Sequence, residues 1–290
     1  MNPHRRQTLA GLLAAAAASA TRAASTAPPP APQRREFRTS DGVRLSLLAT
    51  PADDSRRATL VFVPGWGMPA TVWGPTMAEL ASRHPCIALD PRGQGESDTP
   101  DRGYTIERRA ADLAEVIAPL ERVVLVAWSL GVLEALHAVH LYGHDRLAAL
   151  VLVDNSVGEP PPPAPTDFLK RLRADRAATV DRFARGLFAT PQPEERIDEI
   201  KRSMLKTRLE HSIALLSYPL PREHWRDITR AFPKPLAYLI TPRFAAQAQN
   251  LKAARPATQI EVFEGAGHAL FVDQAERFSA VLGAFVRAAA

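Results

Sequence analysis

A chain of 290 residues with 46% hydrophobic composition suits one large α/β domain carrying an insertion, or two small domains, with a sizeable core. The net charge of +5 and pI near 9.7 come from dispersed arginines that read as solvated surface, with no dense Lys/Arg run interleaved with aromatics. That pattern argues against nucleic-acid binding. The single cysteine, Cys86, leaves no intramolecular disulfide. No metal-ligand spacing or nucleotide-binding fingerprint occurs, so neither metal nor cofactor is expected.

Residues 1–24 read as a cleavable export signal rather than as fold. Arg5-Arg6 precede an apolar run over residues 9–20 that ends in small residues, Ala18-Ser19-Ala20. The run is too short for a stable membrane anchor. The arginine pair with Gln7-Thr8-Leu9 is similar to a twin-arginine signal, which places the mature protein in the periplasm or outside the cell. Residues 25–34, rich in Pro and Ala, read as a linker.

From residue 35 the signals alternate. Residues 36–40 and 43–49 flank Asp41-Gly42, a hairpin turn. Thr59-Leu60-Val61-Phe62-Val63 is a buried strand that runs into the glycine-rich loop Pro64-Gly65-Trp66-Gly67. Residues 77–82 suggest a helix. Cys86-Ile87-Ala88-Leu89 suggests a further strand, with Cys86 in the core and Asp90 supporting the turn through Gly93 and Gly95. Thr105 can cap a helix through Leu120. Val123-Val124-Leu125-Val126 is another buried strand, followed by Ala127-Trp128-Ser129-Leu130-Gly131 and an apolar helical stretch. Strand, serine between small residues, then helix is the layout of a nucleophile elbow, in which a strained turn lifts the serine clear of the sheet. The plain alternative is an ordinary serine N-cap. Residues 147–153 form the next strand, ending at Asp154.

At Gly158 the alternation breaks. About 70 residues follow without clear strands, with helical periodicity over 166–176, 178–188, 194–209, 211–215 and 222–232. Alternation resumes with residues 236–240, a helix near 245–254, a strand at 259–263, the turn Gly265-Ala266-Gly267-His268 and a helix over roughly 273–287. Strands alternating with helices imply a mostly parallel sheet covered on both faces, with ligands beyond the strand C-terminal ends. Ser129, the Gly65-Trp66-Gly67 loop and Asp154 all fall at such ends.

With Val63-Pro64-Gly65-Trp66-Gly67, Asp90-Pro91-Arg92-Gly93-Gln94-Gly95-Glu96-Ser97, Ala127-Trp128-Ser129-Leu130-Gly131 and Gly265-Ala266-Gly267-His268-Ala269 in this order, the chain resembles the α/β-hydrolase superfamily, specifically its capped serine esterase and haloperoxidase-like branch. The resemblance implies an α/β-hydrolase core over residues 35–157 and 233–290 and a helical cap over 158–232. It implies Ser129 as nucleophile and His268 as its base, with an oxyanion hole from the N–H groups of Leu130 and Trp66. The chain departs from the family at Pro64, where many relatives have histidine, and at the acid. Relatives usually place Asp in the loop after the strand corresponding to 236–240, but Thr241-Pro242-Arg243-Phe244-Ala245-Ala246-Gln247 holds no carboxylate. Some relatives move the acid to the strand after the elbow helix, here Asp154; Asp273 is a second candidate, read instead as starting the last helix.

A serine nucleophile points to hydrolysis of a carboxylic ester, thioester or lactone through an acyl-enzyme. The expected partner is a small acyl molecule, partly apolar, with Phe168, Phe183, Phe188, Tyr218 and Trp225 of the insertion packing the cap and one or two of them lining its pocket. C–C bond hydrolysis, cofactor-free perhydrolysis and ligand binding without turnover remain as alternatives on the same fold.

Overall fold

The structure, a computed structural model, describes residues 31–51 and 57–289. The expected signal over residues 1–24 and most of the linker lie outside the described residues.

Among the described residues, eight strands form one sheet in the order β1-β2-β4-β3-β5-β6-β7-β8. They are β1 (Gln33–Arg38), β2 (Arg44–Ala49), β3 (Thr59–Val63), β4 (Cys86–Asp90), β5 (Val123–Trp128), β6 (Leu147–Val153), β7 (Leu236–Ile240) and β8 (Gln259–Val262). β1 begins inside the predicted linker, so Gln33 and Arg34 are strand rather than tether. β1 and β2 form the antiparallel hairpin around Asp41-Gly42, and β2 meets β4 antiparallel; every pairing from β4 to β8 is parallel.

The central strands are apolar without alternation because both faces are covered. In β5, Val124, Val126 and Trp128 enter one core layer, while Val123, Leu125 and Ala127 enter the other. The first layer packs on α1 (Gly74–Leu80) and α11 (Ala275–Ala289). The second packs on α2 (Ile106–Ile117), α3 (Leu130–Tyr142) and α9 (Ala245–Ala254). Thr105 caps α2 through its hydroxyl, which accepts the Arg108 N–H at 3.3 Å. That helix ends at Ile117, earlier than the sequence suggests, because Pro119 lacks the N–H to continue it. Cys86 is fully buried, and burial pushes its thiol up to about 12.

Between β6 and β7 the chain leaves the sheet for α4 (Phe168–Ala174), α5 (Arg176–Arg185), α6 (Glu194–Lys206), α7 (Leu209–Leu215) and α8 (Arg222–Ala231). After β8, a short α10 (Leu270–Asp273) precedes α11. None of the described helices is long and apolar enough to cross a membrane.

Two arginines correct the reading of a uniformly solvated basic surface. Arg92 and Arg109 are buried. Arg92 reaches Asp112 with two bonds of 2.6 Å and Asp41 at 3.0 Å, and Arg109 pairs with Glu134 at 2.9 Å. The buried face of α2 therefore carries Arg109 and Asp112 among Ala110, Leu113 and Val116, which apolar periodicity alone does not reveal. Asp90 does support its turn: its carboxylate accepts the N–H groups of Ala70 at 2.5 Å and Glu96 at 3.1 Å. A Cβ at Gly95 would overlap that carboxylate, so the position requires glycine.

Candidate active site

Ser129 lies between β5 and α3 with φ 54° and ψ −123°, a conformation rare for a residue with a side chain. Such a residue stores roughly 1–3 kcal/mol and persists only where its surroundings hold it. Here its N–H donates to Val153 O at 3.0 Å, and Asn155 Nδ2 donates to its carbonyl at 2.8 Å. Its hydroxyl caps nothing on α3. Close packing explains the small neighbours. A Cβ at Gly131 would lie 2.8 Å from Pro64 O, and one at Gly65 would lie 3.0 Å from Ser129 Cβ. Ala127, the small residue two positions before the serine, is fully buried in β5.

Ser129 Oγ is 2.9 Å from His268 Nε2, and His268 Nδ1 is 2.7 Å from Asp154 Oδ2. Asp154 is buried at the end of β6, also at positive φ, 46°. Its other oxygen, Oδ1, accepts the N–H of Thr241 at 2.7 Å and its hydroxyl at 2.8 Å. The loop after β7 thus holds no acid, but it fixes the acid that β6 supplies. With Nδ1 donating to Asp154, the free lone pair of His268 Nε2 faces the serine hydroxyl. The remaining described histidines do not line this cleft; His137 and His224 contact each other at 3.0 Å between α3 and α8.

Trp66 and Leu130, the expected oxyanion donors, are both buried beside Ser129. Leu130 is the first residue of α3, so its N–H has no intrahelical partner and lies at the positive end of the helix. The Trp66 loop is tied from below: Gln94 Nε2 donates to the carbonyls of Gly65 and Met68, each at 3.0 Å. It is tied from above by Trp66 Nε1, which donates to Ser212 O of α7 at 2.9 Å. Phe168 and Phe183 meet the Trp66 ring edge-on.

The cleft holding Ser129 and His268 has a volume of about 620 Å³. Four of the five cap aromatics named from sequence line it: Phe168, Phe183, Tyr218 and Trp225, all but Phe188. Pocket use is therefore broader than the one or two expected.

Two supporting residues, Trp128 and Tyr238, carry no functional signal in the sequence, and a third, Asp273, has a role other than the one read there. Trp128 Nε1 donates to His268 O at 2.9 Å. Tyr238 donates to Asn155 O at 2.6 Å; burial, then the nearby Asp154 charge, pushes its phenol well above the ordinary value and keeps it a donor. Asp273 does not begin the last helix but ends α10. Its carboxylate accepts the N–H groups of Gly267 (2.8 Å), Ala189 (2.8 Å) and Thr190 (3.0 Å) and the Thr190 hydroxyl (2.5 Å). It joins the His268 turn to the segment between α5 and α6.

Partial burial pushes the Asp273 carboxyl up, but the bonds from Ala189, Thr190 and Gly267 outweigh it and leave it below its ordinary value of 3.8. A depressed carboxyl stabilises the fold above its unfolded value and loses that contribution as pH falls through the folded value. Asp273→Asn, which removes one accepting oxygen, is expected to cost ~1 kcal/mol near neutral pH, a fall of about 2–4 °C in melting temperature. The gap between wild type and variant should close below pH 3.8. Melting curves from pH 7 to 3 check this, and a gap independent of pH would contradict it.

A family model described as "Alpha/beta hydrolase family" matches residues 60–281. Among curated proteins, a pimeloyl-[acyl-carrier protein] methyl ester esterase of Aliivibrio salmonicida is 27% identical over 248 residues, covering 79% of this chain and 92% of that one. The corresponding enzyme of Vibrio campbellii is 28% identical over 242 residues, covering 76% and 91%. Among solved structures, an esterase from Exiguobacterium antarcticum superposes with a TM-score of 0.74 at 21% identity, covering 87% of this chain and 98% of that one. A bromoperoxidase from Bacillus anthracis does so with 0.75 at 20%, covering 88% and 100%. The matched model spans well over half of the 290 residues: this chain belongs to the alpha/beta hydrolase family.

Proposed function

We propose that this protein hydrolyses carboxylic esters through an acyl-enzyme on Ser129. One observation carries the reading: the hydrogen-bonded run from Ser129 Oγ through His268 to the buried Asp154, with contacts of 2.9 and 2.7 Å. The names of the relatives, esterases for methyl esters, support the choice of bond. Ser129 Oγ attacks the carbonyl carbon as His268 Nε2 takes its proton. The oxygen gains negative charge and accepts from the N–H groups of Trp66 and Leu130. Collapse expels the alcohol, which takes the proton from His268. Water then attacks the acyl-enzyme with His268 again as base, releasing the acid and restoring Ser129. A loop after β7 without a carboxylate would favour binding without turnover, but Asp154 offers His268 a carboxylate from β6 instead.

A fluorophosphonate probe tests the activated nucleophile. Stoichiometric labelling at Ser129, with release of alcohol and acid from simple methyl esters, is the expected result. An unlabelled, folded protein that releases neither would defeat the reading. A panel of esters, thioesters and lactones then defines the leaving group.

We also infer, from the sequence alone, that the protein acts in the periplasm or outside the cell. Mass spectrometry of the mature protein should show residues 1–24 removed, and replacement of Arg5-Arg6 by lysines should block export. An intact Met1 in the exported protein would contradict the signal, and continued export of the lysine variant would contradict the twin-arginine route.

A further inference from the structure

Arg171 of α4, Arg182 of α5 and Arg243 of the turn after β7 line the same cleft as Ser129 and His268. Among the described residues, no aspartate or glutamate lines it. The wall is otherwise largely apolar and aromatic. The three guanidinium groups are not equivalent. Arg171 pairs with Asp167 on its outer side, and its buried Nε has no partner. Among the described residues, Arg182 makes no side-chain hydrogen bond or ion pair, although Arg185, one turn further on, pairs with both Asp181 and Glu194. Arg243 meets no carboxylate either; its guanidinium lies 5.4 Å from the centre of the Phe244 ring.

Thr241 gives its N–H and hydroxyl to Asp154, and residues 241–247 hold no carboxylate, so the loop after β7 carries no negative charge of its own. Two residues on, it presents a cation to the cleft. A neutral ester gains nothing from such cations, since charge developing on its carbonyl oxygen is met by backbone N–H groups. Cations in the cleft also disfavour the imidazolium that forms on His268 during attack. An anionic substrate group reverses both costs. It finds guanidinium forks suited to two parallel hydrogen bonds on Arg182 and Arg243, which are solvent-exposed at the cleft, so the attraction is open to screening by salt.

We propose that the natural substrate is an ester bearing a second, anionic group, carboxylate or phosphate, bound by Arg182 and Arg243. This rests on the ester-hydrolase reading above. It adds what the rest of the substrate must carry, and it assigns the residues that select it.

The test compares methyl hexanoate with two esters of equal chain length, one ending in a carboxylate (monomethyl hexanedioate) and one in a phosphate (methyl 6-phosphonooxyhexanoate). In wild type at low salt, kcat/KM for at least one anionic ester should exceed that for the neutral ester by about tenfold or more. The better of the two identifies the anion. The ratio should shrink with added salt. In the Arg182→Gln/Arg243→Gln double variant it should fall toward one, mainly through a higher KM. Turnover of the neutral ester with no anionic preference, or an unchanged ratio in the double variant, overturns the inference and leaves ester hydrolysis standing. Turnover of none of the three overturns both.

Discussion

Purified Ser129→Ala and His268→Ala proteins are expected to lose about 10⁴-fold or more in kcat for ester hydrolysis, and the double variant little beyond the larger single loss. The two side chains meet at 2.9 Å and carry one proton between them, so neither accelerates the reaction without the other. Folding should survive both changes. The Ser129 hydroxyl has no structural role on α3, and the elbow is held by its backbone N–H to Val153 and by Asn155. His268 is partly exposed in its turn and anchored by its carbonyl to Trp128, a bond that alanine keeps. Steady-state kinetics with circular dichroism on the same samples makes the measurement. Near-full turnover by either folded variant would remove that residue from the chemistry.

Local signals carried the strand ends. Each parallel strand is a short apolar run stopped by a residue with special backbone demands, so Gly65, Ser129 and Asp154 could be placed at strand ends before any tertiary contact was known. The pairing of Asp154 with His268 is different. It joins residues 114 apart, and only the adjacency of β6, β7 and β8 brings them to one edge. The sequence points to it only through the family resemblance: relatives usually carry the acid in the loop after β7, which here holds no carboxylate, and some carry it at the end of β6 instead. Thr241, first in that same loop, donates its N–H and hydroxyl to Asp154. A hydroxyl beside an empty acid position is a donor awaiting a displaced carboxylate, and that signal was available.

Asp273, Arg92 and Arg109 were less accessible. An aspartate just before an amphipathic helix reads as a favourable first-turn charge, and propensity says nothing about three backbone N–H groups arriving from residues 189, 190 and 267. Buried ion pairs hide in the same way. Arg109 occupies a core-facing position of α2 only because Glu134 of α3 faces it, a partner 25 residues away. The cap helices were legible as amphipathic segments, but which aromatics face the cleft depends on how five helices fold over Trp66.

Asp154→Asn is expected to lower kcat by about 10⁴-fold, with the protein folded and substrate affinity little changed. Asparagine keeps the shape of the side chain, and its oxygen can still accept both bonds from Thr241. The amide nitrogen then takes the place of Oδ2 opposite His268 Nδ1. An amide donor cannot accept the imidazole proton, so the ring settles in the tautomer with hydrogen on Nε2, and the lone pair needed by the Ser129 hydroxyl is gone. The positive charge that would form on His268 during attack also loses its counter-charge in a buried setting. Asp273→Asn provides the control. It touches the same turn through Gly267 but faces none of the three reacting side chains, so it should retain most of its turnover while losing thermal stability. Equal kinetic losses in both variants would mean that the His268 turn is merely loosened. A loss confined to Asp154→Asn ties the carboxylate of β6 to the proton on His268.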